Sequence, residues 1–162
     1  MRILNEKLKS GQKLPLFSLE DLNGEGFSSG DLLGKKNMLI VFNRGFMCPF
    51  CRKHMAQLRR YYDDFVRSDT EVIVIGPEKK KAFKNYWRKE YLPFVGLPDP
   101  ERNVLDRFGQ EVSLMKLGRL PAQTLVDKQS IIRFSYYGQS MKDIPPVETT
   151  LKAAEEINGR KI

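Results

Sequence analysis

The chain holds two cysteines, Cys48 and Cys51, separated by Pro49 and Phe50. Thiols at this spacing can join to each other, and a deprotonated one is a nucleophile. Two chemistries follow. In the first, Cys48 attacks a disulfide, and Cys51 resolves the mixed intermediate by attacking Cys48. In the second, a peroxide oxidises Cys48 to a sulfenic acid and Cys51 closes the disulfide. A structural staple is a poor explanation, because so short a loop removes little entropy from the unfolded chain. Zinc is a poor one too: a structural site takes four Cys or His ligands, and only His54 adds to the two sulfurs. No metal and no cofactor are expected.

The elements around the pair must place one sulfur at a reactive position. Met38 to Phe42 is an unbroken apolar run, the pattern of a strand buried on both faces. Cys51, Met55, Leu58, Tyr62 and Phe65 follow at steps of four, three, four and three, one stripe of an amphipathic helix. Pro49 suits the first turn of that helix, where its missing N–H is not needed. Glu71 to Ile75 forms a second strand ended by Gly76-Pro77, which completes a right-handed β–α–β unit. Cys48 then lies at a helix N-terminus, where unpaired N–H groups and the positive end of the backbone dipole stabilise a thiolate. Cys51, one turn in, should be shielded on the apolar stripe. That asymmetry is what an exchange reaction needs.

Farther along, Phe83, Tyr86, Trp87 and Tyr91 share one face of a second helix, stopped by Pro93. Phe94 to Leu97 reads as a short strand. Asp99-Pro100 caps and opens a helix carrying Val104, Leu105 and Phe108, with Gly109 ending it. Thr124 to Val126 and Ile131 to Tyr136 read as a hairpin joined through Asp127 to Ser130. Pro145-Pro146 opens a last helix with Val147, Leu151, Ala154 and Ile157 inward. Near the start, Leu14 to Phe17 is expected to pack along the main sheet. The order is β-α-β-α, an irregular middle, then β-β-α. It predicts an α/β fold with a central mixed sheet flanked by helices and an N-terminal extension.

The 162 residues, 41% hydrophobic and 30% charged, fit one domain spanning 1–162 with a single packed core. No stretch approaches the ~20 apolar residues of a membrane helix, and Met1 to Gln12 lacks the apolar segment of a secretion signal. A cytoplasmic location is expected, with no membrane partner. The net charge of +8 favours encounters with acidic partners. Basic residues spread this widely read as solvated helix faces. Without aromatics interleaved among them, nucleic acid is not expected as a partner.

Several segments resemble the alkyl hydroperoxide reductase/thiol-specific antioxidant family, the peroxiredoxin-like branch of the thioredoxin superfamily. They are Pro15-Leu16-Phe17-Ser18-Leu19-Glu20-Asp21-Leu22-Asn23-Gly24, the strand before Cys48, and Leu120-Pro121-Ala122-Gln123-Thr124-Leu125-Val126-Asp127. The stretch Phe42 to Cys51 is most similar to the subgroup with an Arg-Gly pair before Cys-Pro-x-Cys. The resemblance runs from about Gly11 to Ile157. It implies a thioredoxin-like fold, Cys48 as nucleophile, and a thiol electron donor such as thioredoxin or glutathione.

The departures from that pattern are specific. Typical members carry a proline seven residues before the reactive cysteine and a threonine or serine three before it. Here those positions hold Val41 and Gly45, so the peroxide-binding hydroxyl is absent. An arginine is expected six residues before the strand-ending aspartate, where this chain has Pro121. Thioredoxins have their cis-proline at that spacing. Pro121 is accordingly expected to be cis and to face the cysteine pair, with the backbone of Leu120 open to a substrate chain. Arg44 could replace the missing arginine beside the thiolate or be a loop cation. His54 is expected to point away from Cys48 and to serve packing, and Trp87 to be core.

Three functions compete. A dithiol–disulfide oxidoreductase acting on a protein disulfide is the first expectation. A peroxiredoxin-type thiol peroxidase, reducing hydrogen peroxide or alkyl hydroperoxides as an antioxidant, is the alternative. The third is a binding module using the basic surface. The first two share Cys48 and Cys51, so only their substrates separate them.

Overall fold

A computed structural model describes residues 6–159. Every residue of strand β3 (Asn37–Phe42) is buried, as its apolar run requires. Beside it lies β4 (Thr70–Gly76), parallel, with Leu39 opposite Val72 and Val41 opposite Val74. Its other neighbour is β8 (Ala122–Val126), antiparallel. The sheet is completed by β5 (Val95–Pro98), parallel to β4, and β9 (Ile132–Tyr137), antiparallel to β8. The spatial order β5-β4-β3-β8-β9 is a mixed sheet with the cysteine-bearing strand–helix junction at its centre.

Successive residues of β3 point to opposite faces, and each face has its own core. Leu39 and Val41 pack with Met55 and Leu58 of α1 (Pro49–Arg60), Phe65 of α2 (Tyr62–Arg67), Phe83 and Trp87 of α3 (Lys80–Lys89), and Leu151 of α5 (Val147–Gly159). Met38, Ile40 and Phe42 pack on the other side with Leu14, Phe17, and Val104 and Leu105 of α4 (Asn103–Arg107). Two small hairpins lie outside the main sheet: β1 (Ser18–Glu20) with β2 (Gly26–Ser28), and β6 (Val112–Ser113) with β7 (Gly118–Arg119). Among the described residues no helix is long and apolar enough to cross a membrane.

Two local expectations are revised. The stripe from Cys51 to Phe65 is two helices rather than one, with the break at Tyr61 (φ −100°, ψ 9°). Tyr91 is not on the inner face of α3; it is 84% exposed and lies beyond the helix end. The end of α3 closes as a Schellman motif. Tyr91 N–H donates to Arg88 O at 3.3 Å, and Leu92 N–H donates to Trp87 O at 3.1 Å. That geometry puts Tyr91 in the left-handed region, φ 52°, and turns its side chain outward. The caps of α4 and the β8–β9 turn match the sequence more closely. The Asp99 carboxylate accepts from the N–H groups of Asn103, Val104 and Leu105. Asp127 Oδ1 accepts from Gln129 and Ile131 N–H, each at 2.9 Å.

Candidate active site

The loop from Asn43 to Met47 carries the chain from the end of β3 into α1, and five contacts set its shape. Asn43 Oδ1 accepts from Gly45 N–H at 2.6 Å, and Glu78 Oε2 accepts from Phe46 N–H at 2.7 Å. Arg52, a turn into α1, donates from Nε to Phe46 O. The buried Phe46 ring stacks on Tyr86 at 4.4 Å and meets Phe83 edge-on at 4.8 Å. Gly45 has φ +153°, and a Cβ there would sit 3.2 Å from Glu78 Oε2. The threonine or serine of the family pattern would therefore crowd the loop as this chain folds it.

Cys48 is the N-cap of α1, and no side chain caps the helix there. Pro49 occupies the first helical position, and Arg52 N–H donates to Cys48 O at 3.0 Å, the first intrahelical bond. The positive end of the helix therefore begins at Cys48. Cys51 is shielded as expected, at 2% exposure, but Cys48 is shielded equally, at 3%. Both thiols are free and hydrogen-bonded to each other.

The asymmetry lies in the proton. Burial, and then the charge of Cys48 as a thiolate, push the Cys51 thiol up to about 12; backbone N–H groups of Arg44 and Gly45 oppose the rise only in part. Cys51 therefore keeps its hydrogen at neutral pH and donates it to the Cys48 sulfur.

Other expected site residues fall differently. Pro121 does line the small cavity behind Cys51, but no peptide bond among the described residues is cis, so Leu120–Pro121 is trans. The backbone of Leu120 is already occupied: its N–H donates to Glu111 O at 2.8 Å, and its carbonyl accepts from Gln110 Nε2 at 2.9 Å. It offers no free edge to a substrate chain. The Arg44 guanidinium donates from Nη2 to Leu117 O at 2.6 Å, tying the loop to the β6–β7 hairpin, while its Nε is buried without a partner. Trp87 is core, its Nε1 donating to Phe94 O at 2.8 Å.

His54 is the residue that the sequence reading underrated. It is 5% exposed and lines the same cavity as Cys51, together with Asn43, Gln123, Tyr136 and Asp143. Burial pushes its imidazole down to about 4, so the ring is neutral at physiological pH. The signal was its spacing, three residues beyond Cys51, which puts both side chains on one helix face.

A mixed sheet presenting a dithiol at the start of its central helix defines a thioredoxin-fold thiol protein. Residues 10–135 match the model of the AhpC/TSA family, and the chain belongs to that family. Peroxiredoxin Q, chloroplastic, of Populus jackii is 28% identical over 153 residues, covering 93% of this chain and 70% of that protein. A putative peroxiredoxin bcp of Coxiella burnetii is 30% identical over 112 residues, 69% of this chain and 74% of the other. The crystal structure of peroxidoxin BcpB from Mycobacterium tuberculosis superposes with a TM-score of 0.81 at 18% identity, covering 93% of this chain and 98% of that one. At that identity the likeness establishes the thioredoxin-like fold.

Proposed function

We propose that this chain is a peroxiredoxin-type thiol peroxidase. The observation that carries the reading is the Cys48–Cys51 contact at the uncapped start of α1, in a chain of the AhpC/TSA family. The Cys48 thiolate attacks one oxygen of hydrogen peroxide or an alkyl hydroperoxide. An S–O bond forms, the O–O bond breaks, and the leaving oxygen takes a proton to depart as water or alcohol. Cys51 then loses its proton and attacks the Cys48 sulfur, the S–O bond breaks, and the leaving hydroxide takes up a proton to depart as the second water. A thiol donor such as thioredoxin or glutathione returns two electrons to the disulfide. A cysteine pair that must be returned to the dithiol form in each cycle suits a reducing compartment such as the cytoplasm.

With Gly45 in place of a hydroxyl residue, the donors for the peroxide oxygens are the helix-start N–H groups and Arg44. The buried, unpartnered Nε of Arg44 supports that assignment. Pro49 holds the helix start open by needing no partner of its own.

The disulfide-exchange reading loses the features that favoured it. The proline is trans, the Leu120 backbone is occupied, and Cys48 is recessed from a protein-sized disulfide while a hydroperoxide is small. The test compares two substrates on the reduced protein. Rapid consumption of hydrogen peroxide, lost in Cys48→Ser, is expected; insulin reduction without peroxide turnover would overturn the assignment.

A further inference from the structure

The cavity behind Cys51 has a volume of ≈ 10 Å³, about the space of one water molecule. Its lining is mainly apolar, with Asn43, His54 and Gln123 set among Val41, Phe42 and Ala122. Gln123 is 2% exposed; its Nε2 donates to Thr150 Oγ1 at 3.2 Å, while its Oε1 is buried without a partner. Asn43 uses its Oδ1 on Gly45 and has a buried, unpartnered Nδ2. The two side chains, one with a free donor and one with a free acceptor, line a space that Cys51 and His54 also line. A water there would have the polar partners that an internal water requires.

We propose that His54 is the proton acceptor for Cys51 during disulfide closure, taking the proton through one water held by Asn43 and Gln123. The proposal rests on the reading of Cys51 as the resolving thiol. As the Cys51 sulfur bonds to the Cys48 sulfur, the hydroxide of the sulfenic acid leaves. The Cys51 proton passes to the water, and a proton of that water passes to His54. His54 then returns its proton to solvent, so the sum is one disulfide and one water.

The need for an acceptor is geometric, since Cys51 is only 2% exposed and the backbone N–H groups beside it donate and cannot take its proton. The surroundings of His54 keep its ring available as a base. Burial is what opposes its protonation, and the charged groups that share a groove with it are Lys53 on its own helix and Lys142 on the segment before α5. Asp143 is engaged by Tyr136 OH at 2.7 Å and by Gln139 N–H at 2.8 Å.

The test isolates closure from peroxide chemistry with the aromatic disulfide dithiobis(nitrobenzoate). Attack by Cys48 releases one coloured thiolate and leaves a mixed disulfide; attack by Cys51 releases the second. In the native sequence the second release is expected to be nearly independent of pH between about 5 and about 9, because the base is already deprotonated. In His54→Gln the ratio of the second rate to the first is expected to fall about 10²-fold and to rise tenfold per pH unit, as for a thiol served by hydroxide. A ratio within about twofold of the native one would overturn the relay. Should His54→Gln not fold, the native profile decides alone, a tenfold rise per pH unit through neutrality sinking the proposal. If peroxide is never consumed but the release pattern holds, the peroxidase reading fails and the relay stands.

Discussion

Cys51 keeps its proton because it is buried against Cys48, and the hydrogen bond between the two sulfurs divides their roles. A thiol pushed up to about 12 cannot be the first nucleophile at neutral pH, so the attack belongs to Cys48. Once Cys48 is oxidised, its negative charge and its acceptance of the Cys51 proton both vanish. The second sulfur becomes a better nucleophile at the moment it is needed. Cys51→Ser removes the second step alone. The variant is expected to consume one equivalent of peroxide and stop, its mass raised by one oxygen on Cys48 and trappable by a sulfenic-acid reagent. Steady turnover with a protein dithiol donor should fall at least about tenfold; undiminished turnover would show that Cys51 is not the resolving thiol.

His54 gives the fold a stability signature in acid. Its imidazole is held down to about 4 by burial, against 6.5 in the unfolded chain. Between those values the unfolded state binds the extra proton and the folded state does not. Stability therefore falls as pH drops through this window, by about 1.4 kcal/mol per unit and about 3 kcal/mol in all. His54→Gln lacks this component. Urea unfolding of both proteins across the window should show the native chain losing stability more steeply; parallel curves would mean that His54 is not buried neutral.

The reactive centre was legible in the sequence because its parts are local. The run Met38 to Phe42, the turn residues after it, and the stripe through Cys51, Met55 and Leu58 lie within one β–α–β unit, where periodicity and caps speak directly. What surrounds the pair was not, because it is assembled from distant segments. Gln110 spans the carbonyls of Phe42, Asn43 and Leu120, and nothing in its neighbours announces this. The β6–β7 hairpin has two-residue strands, too short for alternation to register. The cavity beside Cys51 takes Asn43 from the loop after β3, Gln123 from β8 and Asp143 from another loop. The Leu120 backbone read as free only while its partners were unknown. Tyr91 followed the helical spacing of Phe83 and Trp87 but fell past the cap, where a left-handed residue ends the repeat.

Tyr91 offers a simple gain in stability. It sits at the left-handed position of the Schellman motif, where glycine is usual and a side chain is strained. Being almost fully exposed, it contributes little packing. Tyr91→Gly is expected to stabilise the protein by about 1 kcal/mol in urea unfolding. A loss would mean that the ring makes contacts worth more than the backbone strain.

Glu78 connects the sheet to the reactive loop. Its Oε2 holds Phe46 N–H at 2.7 Å, two residues before Cys48, and its Oε1 is buried without a partner beside Gly76. Glu78→Ala leaves the Phe46 N–H unpaired and should cost about 2 kcal/mol. Glu78→Gln keeps an acceptor and should cost about half as much. Because Phe46 is also pinned by Tyr86, Phe83 and Arg52, the loop will not unfold in either variant, but it will shift. A small displacement of the nucleophile is enough to slow an in-line attack on peroxide. The first oxidation of Cys48 is therefore expected to slow by about tenfold in Glu78→Ala and less in Glu78→Gln. Equal rates in all three proteins would place the control of Cys48 in α1 alone, independent of the strand that Glu78 follows.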